Sequence, residues 1–258
     1  MKIALLVAGE LRCLDLAYNY WPHLNLPNID TYFSVWKQIE YGDIQYHGTV
    51  DYELMQKFNP VSIIIEDKDK VELEMTNGNS NAKKQFHRIV MGLNAIFASK
   101  VAYDLVVITR SDLFFGCSQQ DLAVEFRRSI DNYAIGLLGP SVNTFTEDIF
   151  MILPFSIATQ IAQIDFVDLL TNKYTVPAPQ HPLLGDIFKI YKIQSVSETV
   201  WQNIEVIRPN CRDSEELTIG LVRQKFYEWG NVLRCGIISE DEEYRQQLLK
   251  LGSNSSSK

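Results

Sequence analysis

Tyr103-Asp-Leu-Val-Val-Ile-Thr-Arg-Ser-Asp-Leu-Phe-Phe115 is the stretch on which the reading of this chain turns. Leu105 to Ile108 form a continuous, mostly β-branched apolar run, the pattern of a strand covered on both faces inside an α/β sheet. Arg110, Ser111 and Asp112 follow where the run stops. Polar groups at the carboxyl end of a buried parallel strand stand where open α/β sheets bind ligands. The triplet has a second reading, an internal ion pair that closes the strand. Phe114 and Phe115 then return the chain to the core.

Working outward, Ile3 to Val7 is a second apolar run, opening into Ala8-Gly9-Glu10-Leu11-Arg12. Gly9 permits a tight turn or a close backbone approach. A first helix is expected from Cys13 to Tyr20, ended by Trp21-Pro22. Strands are expected at Ile29 to Trp36 and Val61 to Ile65, with a short helix from Asp51, its N-cap, to Phe58. Lys37 to Thr49, with Gly42, Gly48 and several aromatics, reads as a loop, and so does Asp67 to Ser80. Asn81 to Val101 is the clearest helix: Phe86, Ile89, Val90, Leu93, Ile96, Phe97 and Val101 recur at three- and four-residue steps. Lys84, Gln85, His87 and Arg88 gather near its N-terminal half, either as an anion site or as a solvated charged face.

Beyond the central run, Gln119 to Ile130, Ser156 to Leu170, Leu183 to Ile193 and Glu215 to Gly230 read as helices. Tyr133 to Leu138 reads as another strand, Ile149 to Leu153 as a further short apolar element, and Val196 to Ile207 as one late strand or a hairpin arm. Strands alternating with helices over the first two-thirds imply an α/β fold with a mostly parallel central sheet flanked by helices. One domain is expected over 1–251, with ligand binding in about 1–115 and a less regular wall from 116–251. The Ser-rich end, 252–258, is expected to be disordered.

Apolar residues make up 46% and charged residues 22%, the balance of a globular protein. A net charge of −8 argues against a general nucleic-acid surface. No apolar stretch reaches the roughly 18 to 20 residues of a spanning helix. Cys13, Cys117, Cys211 and Cys235 lack metal-type spacing and fit the reduced cysteines of a cytoplasmic protein. No Gly-x-Gly-x-x-Gly follows the first strand and no P-loop occurs, which weighs against dehydrogenases and Walker-type kinases.

The order of these features resembles nucleotide-sugar-dependent glycosyltransferases of the GT-A fold, and among them polysaccharide-biosynthesis and viral relatives with Arg-x-Asp in place of Asp-x-Asp. The resemblance spans roughly Met1 to Pro154. It rests on Ala8-Gly9-Glu10-Leu11-Arg12, the helix with Gln85 and Arg88, the segment Tyr103-Asp104 to Arg110-Ser111-Asp112-Leu113, and Glu147-Asp148. It implies a Rossmann-type sheet and transfer of a sugar from a nucleotide-sugar donor to a glycan or glycoconjugate acceptor.

In that family the acidic motif holds a divalent ion on the donor phosphates, and hard oxygen ligands suit Mn²⁺ or Mg²⁺. Here Arg110 replaces the first acid. The resemblance carries over only Asp112 as the metal- or ribose-facing carboxylate, while Arg110 can itself pair with phosphate. It further implies Gly9, Glu10, Arg12, Lys84 and Arg88 on the donor side, and His181 as a late metal ligand. Asp148, with Glu147 as the alternate, becomes the general base of an inverting transfer. His23, His47 and His87 show no ligand spacing and receive no role. Tyr18, Trp36 and Tyr41 either stack on a base or sugar or fill the core. Two competing functions stand beside this one: a nucleotide-sugar-binding or scaffold subunit without catalysis, and a sugar nucleotidyltransferase. The lack of a Gly-rich activation loop after the first strand disfavours the second.

Overall fold

The computed structural model describes residues 1–12, 14, 21, 26, 28–41, 46–72, 80–115, 118–133, 135–137, 150–164, 192, 195–197 and 204–206. In chain order the elements are β1 (Ile3–Gly9), β2 (Ile29–Trp36), β3 (Gln38–Tyr41), β4 (Tyr46–Thr49), α1 (Tyr52–Gln56), β5 (Ser62–Glu66), α2 (Lys68–Glu72) and α3 (Ser80–Ala98). They continue with β6 (Leu105–Thr109), β7 (Leu113–Phe115), α4 (Gln119–Asn132), β8 (Ile135–Leu137), β9 (Phe150–Pro154), α5 (Phe155–Ala162), β10 (Ser195–Ser197) and β11 (Ile204–Val206).

Seven strands form one sheet in the order β10-β8-β9-β6-β1-β2-β5. β1 pairs in parallel with both β2 and β6, and β2 in parallel with β5. β9 runs antiparallel to β6 and β8, and β10 is parallel to β8. This is the mostly parallel α/β sheet that the apolar runs imply. Every residue of β1, β6 and β9 is buried. Their alternate side chains feed two cores. Ile3, Leu5, Val7, Leu105 and Val107 point to one face with Trp21, Met55, Leu122 and Phe126. Ala4, Leu6, Ala8, Val106 and Ile108 point to the other with Phe86, Ile89, Leu93 and Ile96 of α3 and Ile157 and Ile161 of α5. Burial on both faces leaves such strands almost wholly apolar, so their sequences do not alternate.

α3 lies close against the sheet at Gly92. A Cβ there would fall inside the van der Waals reach of Leu6, so glycine fixes how near the helix can come. The caps are local chemistry. The Asp51 side chain accepts from Leu54 N, as its expected N-cap role requires. α4 starts at a capping box formed by Ser118 and Asp121.

Four expectations need correction. Lys37 to Thr49 is not simply a loop, because β3 and β4 pair antiparallel from Gln38↔Thr49 to Tyr41↔Tyr46. Asp67 to Ser80 includes α2, whose first backbone N–H, at Lys68, donates to Gln38 Oε1 at 2.9 Å. The region Val196 to Ile207 holds strands of two different sheets: β10 joins the main sheet, and β11 pairs antiparallel with β7. α5 ends at Ala162, short of Leu170. The helices expected at 13–20, 183–193 and 215–230 lie outside the described residues, apart from Leu14 and Lys192.

Candidate functional site

The chain leaves β1 toward β2 and β5 on one side and returns through β6 on the other. The connections therefore diverge between β1 and β6, and the carboxyl ends of these two strands flank a topological switch point, where open α/β sheets bind ligands. Gly9 ends β1 with φ +108, a conformation that side chains rarely adopt. A Cβ there would also stand 2.9 Å from Gln85 Oε1 of α3. Glu10 to Arg12 follow Gly9, and Arg110 to Asp112 follow β6.

Ser111 joins the two loops. Its hydroxyl oxygen is 2.9 Å from both Glu10 O and Arg12 O, so one proton is shared between two carbonyls. Ser111 is 1% exposed. The Arg12 backbone N–H also donates to Glu10 O at 2.9 Å. The turn after β1 is thereby held against the turn after β6.

The charged side chains sort into three groups. In the first, Glu10 receives Arg12 on one oxygen and Lys68 on the other: Arg12 Nε at 2.8 Å and Nη2 at 2.6 Å from Oε2, and Lys68 Nζ at 2.9 Å from Oε1. Lys68 is buried, which lysine tolerates only when its charge is compensated. In the second, Arg110 grips Asp112 bidentately, Nε to Oδ1 at 2.9 Å and Nη2 to Oδ2 at 2.6 Å. The Asp112 side chain is 3% exposed and that of Arg110 24%.

The third group lies at the ends of β2 and β5. Arg88 is fully buried, with Nη1 donating to Val35 O at 3.1 Å and the guanidinium 4.7 Å above the Trp36 ring. Its Nη2 is 3.0 Å from Glu66 Oε2, off the angle of a hydrogen bond, and among the described residues neither Nη2 nor Nε has a hydrogen-bond partner. Burial lowers the Arg88 pKa to about 10, partly offset by Glu66, so the group stays charged at neutral pH. His87 Nε2 lies 2.7 Å from the same Glu66 oxygen, and its ring stacks on Trp36 at 5.8 Å. The Ser34 hydroxyl donates to Arg88 O at 2.6 Å.

Of the residues expected to bind a donor, Gly9, Glu10, Arg12, Arg110 and Asp112 therefore meet at one edge, and Arg88 lies beneath it, inside the core. Lys84 is half-buried on α3. Trp36 is core, packed under Arg88 and His87. Glu147, Asp148, His181 and Tyr18 lie outside the described residues. Sequence reading missed Lys68 and Glu66 and left His87 without a role. A carboxylate at the carboxyl end of the expected strand Val61 to Ile65 was the available signal for Glu66; His87 lies inside a helix and had none.

The described residues do not by themselves fit Mn²⁺ or Mg²⁺ at Asp112. Both of its oxygens hold Arg110, and no group of three His, Cys, Asp or Glu side chains with metal-binding geometry occurs among the described residues. No helix among them is long and apolar enough to cross a membrane.

No protein-family model matches the sequence, and no curated protein is similar to it. Among solved structures the chain is similar to mouse xyloside xylosyltransferase 1 in its apo form. The TM-score is 0.45 and the identity 11%, over 76% of this chain and 84% of that one. Similarity of that degree assigns neither a family nor a substrate.

Proposed function

We propose that this chain is a glycosyltransferase that binds a nucleotide-sugar donor at the β1/β6 switch point and passes the sugar to a glycan or glycoconjugate acceptor. The observation that carries this reading is the Ser111 tie, which holds the two strand-end turns together and gathers Arg12, Lys68 and Arg110 at one edge. Departure of a nucleoside diphosphate develops negative charge, and cations already in place stabilise it without reorganising. Arg12, Lys68 and Arg110 supply that charge. Glu10 and Asp112 hold the cations in position by taking hydrogen bonds from them. Gly9, lacking a side chain, leaves room for Gln85 of α3 and permits the backbone turn that brings Glu10 and Arg12 to this edge.

The proton of the acceptor hydroxyl goes to Asp148, with Glu147 as the alternate. The chain enters β9 at Phe150, two residues after Asp148, and Phe150 pairs with Thr109 at the carboxyl end of β6. Asp148→Asn is expected to lower transfer by ~10²- to 10⁴-fold with donor affinity unchanged. Normal turnover in that variant would remove Asp148 from the mechanism.

The reading is tested by thermal shift with a panel of nucleotide sugars, since a bound donor raises stability by mass action. Failure of every donor to stabilise the protein would overturn it. Occupation of Asp112 by Arg110 favours a second reading, a nucleotide-sugar-binding subunit without turnover. Donor binding with neither hydrolysis nor transfer would establish that alternative.

A further inference from the structure

The Glu66–His87 pair is not used by the mechanism above, yet it stands at the same edge of the sheet. Trp36 pairs with Glu66 at the carboxyl ends of β2 and β5, and Gly9 pairs with Val35 one residue earlier. Two strand spacings of ~4.8 Å separate β1 from β5, so Glu66 stands about 10 Å along the edge from the turn after Gly9. Lys68, two residues beyond Glu66, reaches back to Glu10 at 2.9 Å and joins the two positions. A nucleoside diphosphate covers such a separation with its phosphates at one end and its base at the other.

The chemistry of the pair is specific. The Arg88 guanidinium is 3.0 Å from Glu66 Oε2 and compensates its charge. A Glu66 carboxylate only accepts, so His87 donates to it through Nε2 at 2.7 Å. In the neutral imidazole this donation through Nε2 leaves the lone pair on Nδ1. The His87 side chain is 24% exposed and stacks on Trp36, which fixes its plane.

We propose that His87, held by Glu66 and Trp36, reads the nucleobase through Nδ1 and selects bases that carry a ring imide N–H; this rests on the nucleotide-sugar reading above. Uracil and guanine present such a donor. Cytosine and adenine place a ring-nitrogen lone pair at the equivalent edge, where it faces the lone pair of Nδ1. Leaving a polar group unpaired against a mismatched ligand is what makes hydrogen-bond selection strong.

The test is calorimetric binding of UDP, GDP, CDP, ADP and inorganic pyrophosphate to the full chain and two variants. His87→Phe keeps the ring on Trp36 and removes the acceptor. His87→Asn places an amide oxygen where Nδ1 stood. The wild-type chain is expected to prefer UDP or GDP over CDP and ADP by about tenfold or more. The Phe variant should narrow that ratio to within about threefold, and the Asn variant should restore part of it. Pyrophosphate binding should not change in either variant. A Phe variant with wild-type selectivity, or a wild-type preference for CDP or ADP, would overturn the role of His87 and leave the donor site standing. A wild-type chain that binds none of the nucleotides would overturn both readings.

Discussion

The two ends of the central sheet handle polar groups in opposite ways. Toward the amino end, Tyr103 donates to Asp30 Oδ2 at 2.7 Å, its hydroxyl lies 2.8 Å from that of Tyr32, and Lys2 Nζ is 3.2 Å from Asp30. The Lys2 backbone N–H donates to Asp104 Oδ2 at 2.6 Å, and the Asp104 N–H to Lys2 O at 2.8 Å. The Lys2 contacts tie β1 to its neighbours β2 and β6, and Tyr103 reaches past β1 to tie the start of β6 to β2. At the carboxyl end Ser111 ties the turn after β1 to the turn after β6, and the charged side chains cluster on short turns beyond the strands. One end fastens the sheet; the other presents cations on a fastened base. A polar residue at a strand end is thus no sign of a ligand until its partners are known.

The largest test of that contrast is Arg110→Ala made together with Asp112→Asn, which avoids leaving a buried charge. Nucleoside diphosphate affinity should fall by ~10- to 100-fold, the worth of a charged hydrogen-bonding group, with the melting temperature nearly unchanged. If the melting temperature fell instead and the folded protein bound as before, Arg110 would be a tie of the amino-end kind.

Tyr103→Phe probes the other end. Loss of its hydroxyl leaves Tyr32 and Asp30 short of a partner in the core and should cost ~1–3 kcal/mol of stability without changing affinity. Chemical denaturation and calorimetry read the two effects separately. Burial, then the bonds to Tyr32 and Asp30, raise the Tyr103 pKa above its ordinary value. The native state keeps a proton that the unfolded chain releases above about pH 10, so this contribution is complete below that pH and is lost as pH rises beyond it. The alkaline fall in stability should be shallower in the Phe variant.

The smallest expected effect is that of Ser111→Ala. One shared hydrogen bond is removed, costing about 1 kcal/mol. If the Ser111 tie also positions the cations, nucleoside diphosphate affinity should weaken by about threefold. An unchanged affinity would separate the fastening from the presentation.

The strands were legible where burial is complete. β1 has no polar position along its length and β6 only Thr109 at its end, and the change to Glu10–Arg12 and to Arg110–Asp112 marks where they stop. Burial of both faces also made the amphipathic stripe of α3 readable. The direction of β9 was not legible, because a short apolar run reads the same in a parallel or an antiparallel strand. The site was half visible. Lys68 meets Glu10 across 58 residues and His87 meets Glu66 across 21, and Ser111 reaches back 101 residues to Glu10. Such meetings leave no local periodicity or spacing. Arg88 shows the converse: its place on a charged helix turn suggested a surface anion contact, and the fold buries it.

The position of β1 also governs how the chain is made. It leaves the ribosome before its partners, and β2 and β5 can pair beside it early, but its other edge stays open until β6, about a hundred residues later, has been synthesised. Until then an apolar strand with unpaired N–H and C=O groups invites pairing with other chains. Contacts of this sequence separation also slow folding, because loop closure precedes any gain from the contact. Nascent chains cut before residue 109 should therefore aggregate or recruit chaperones, and those extended past β9, which covers the remaining edge of β6, should not.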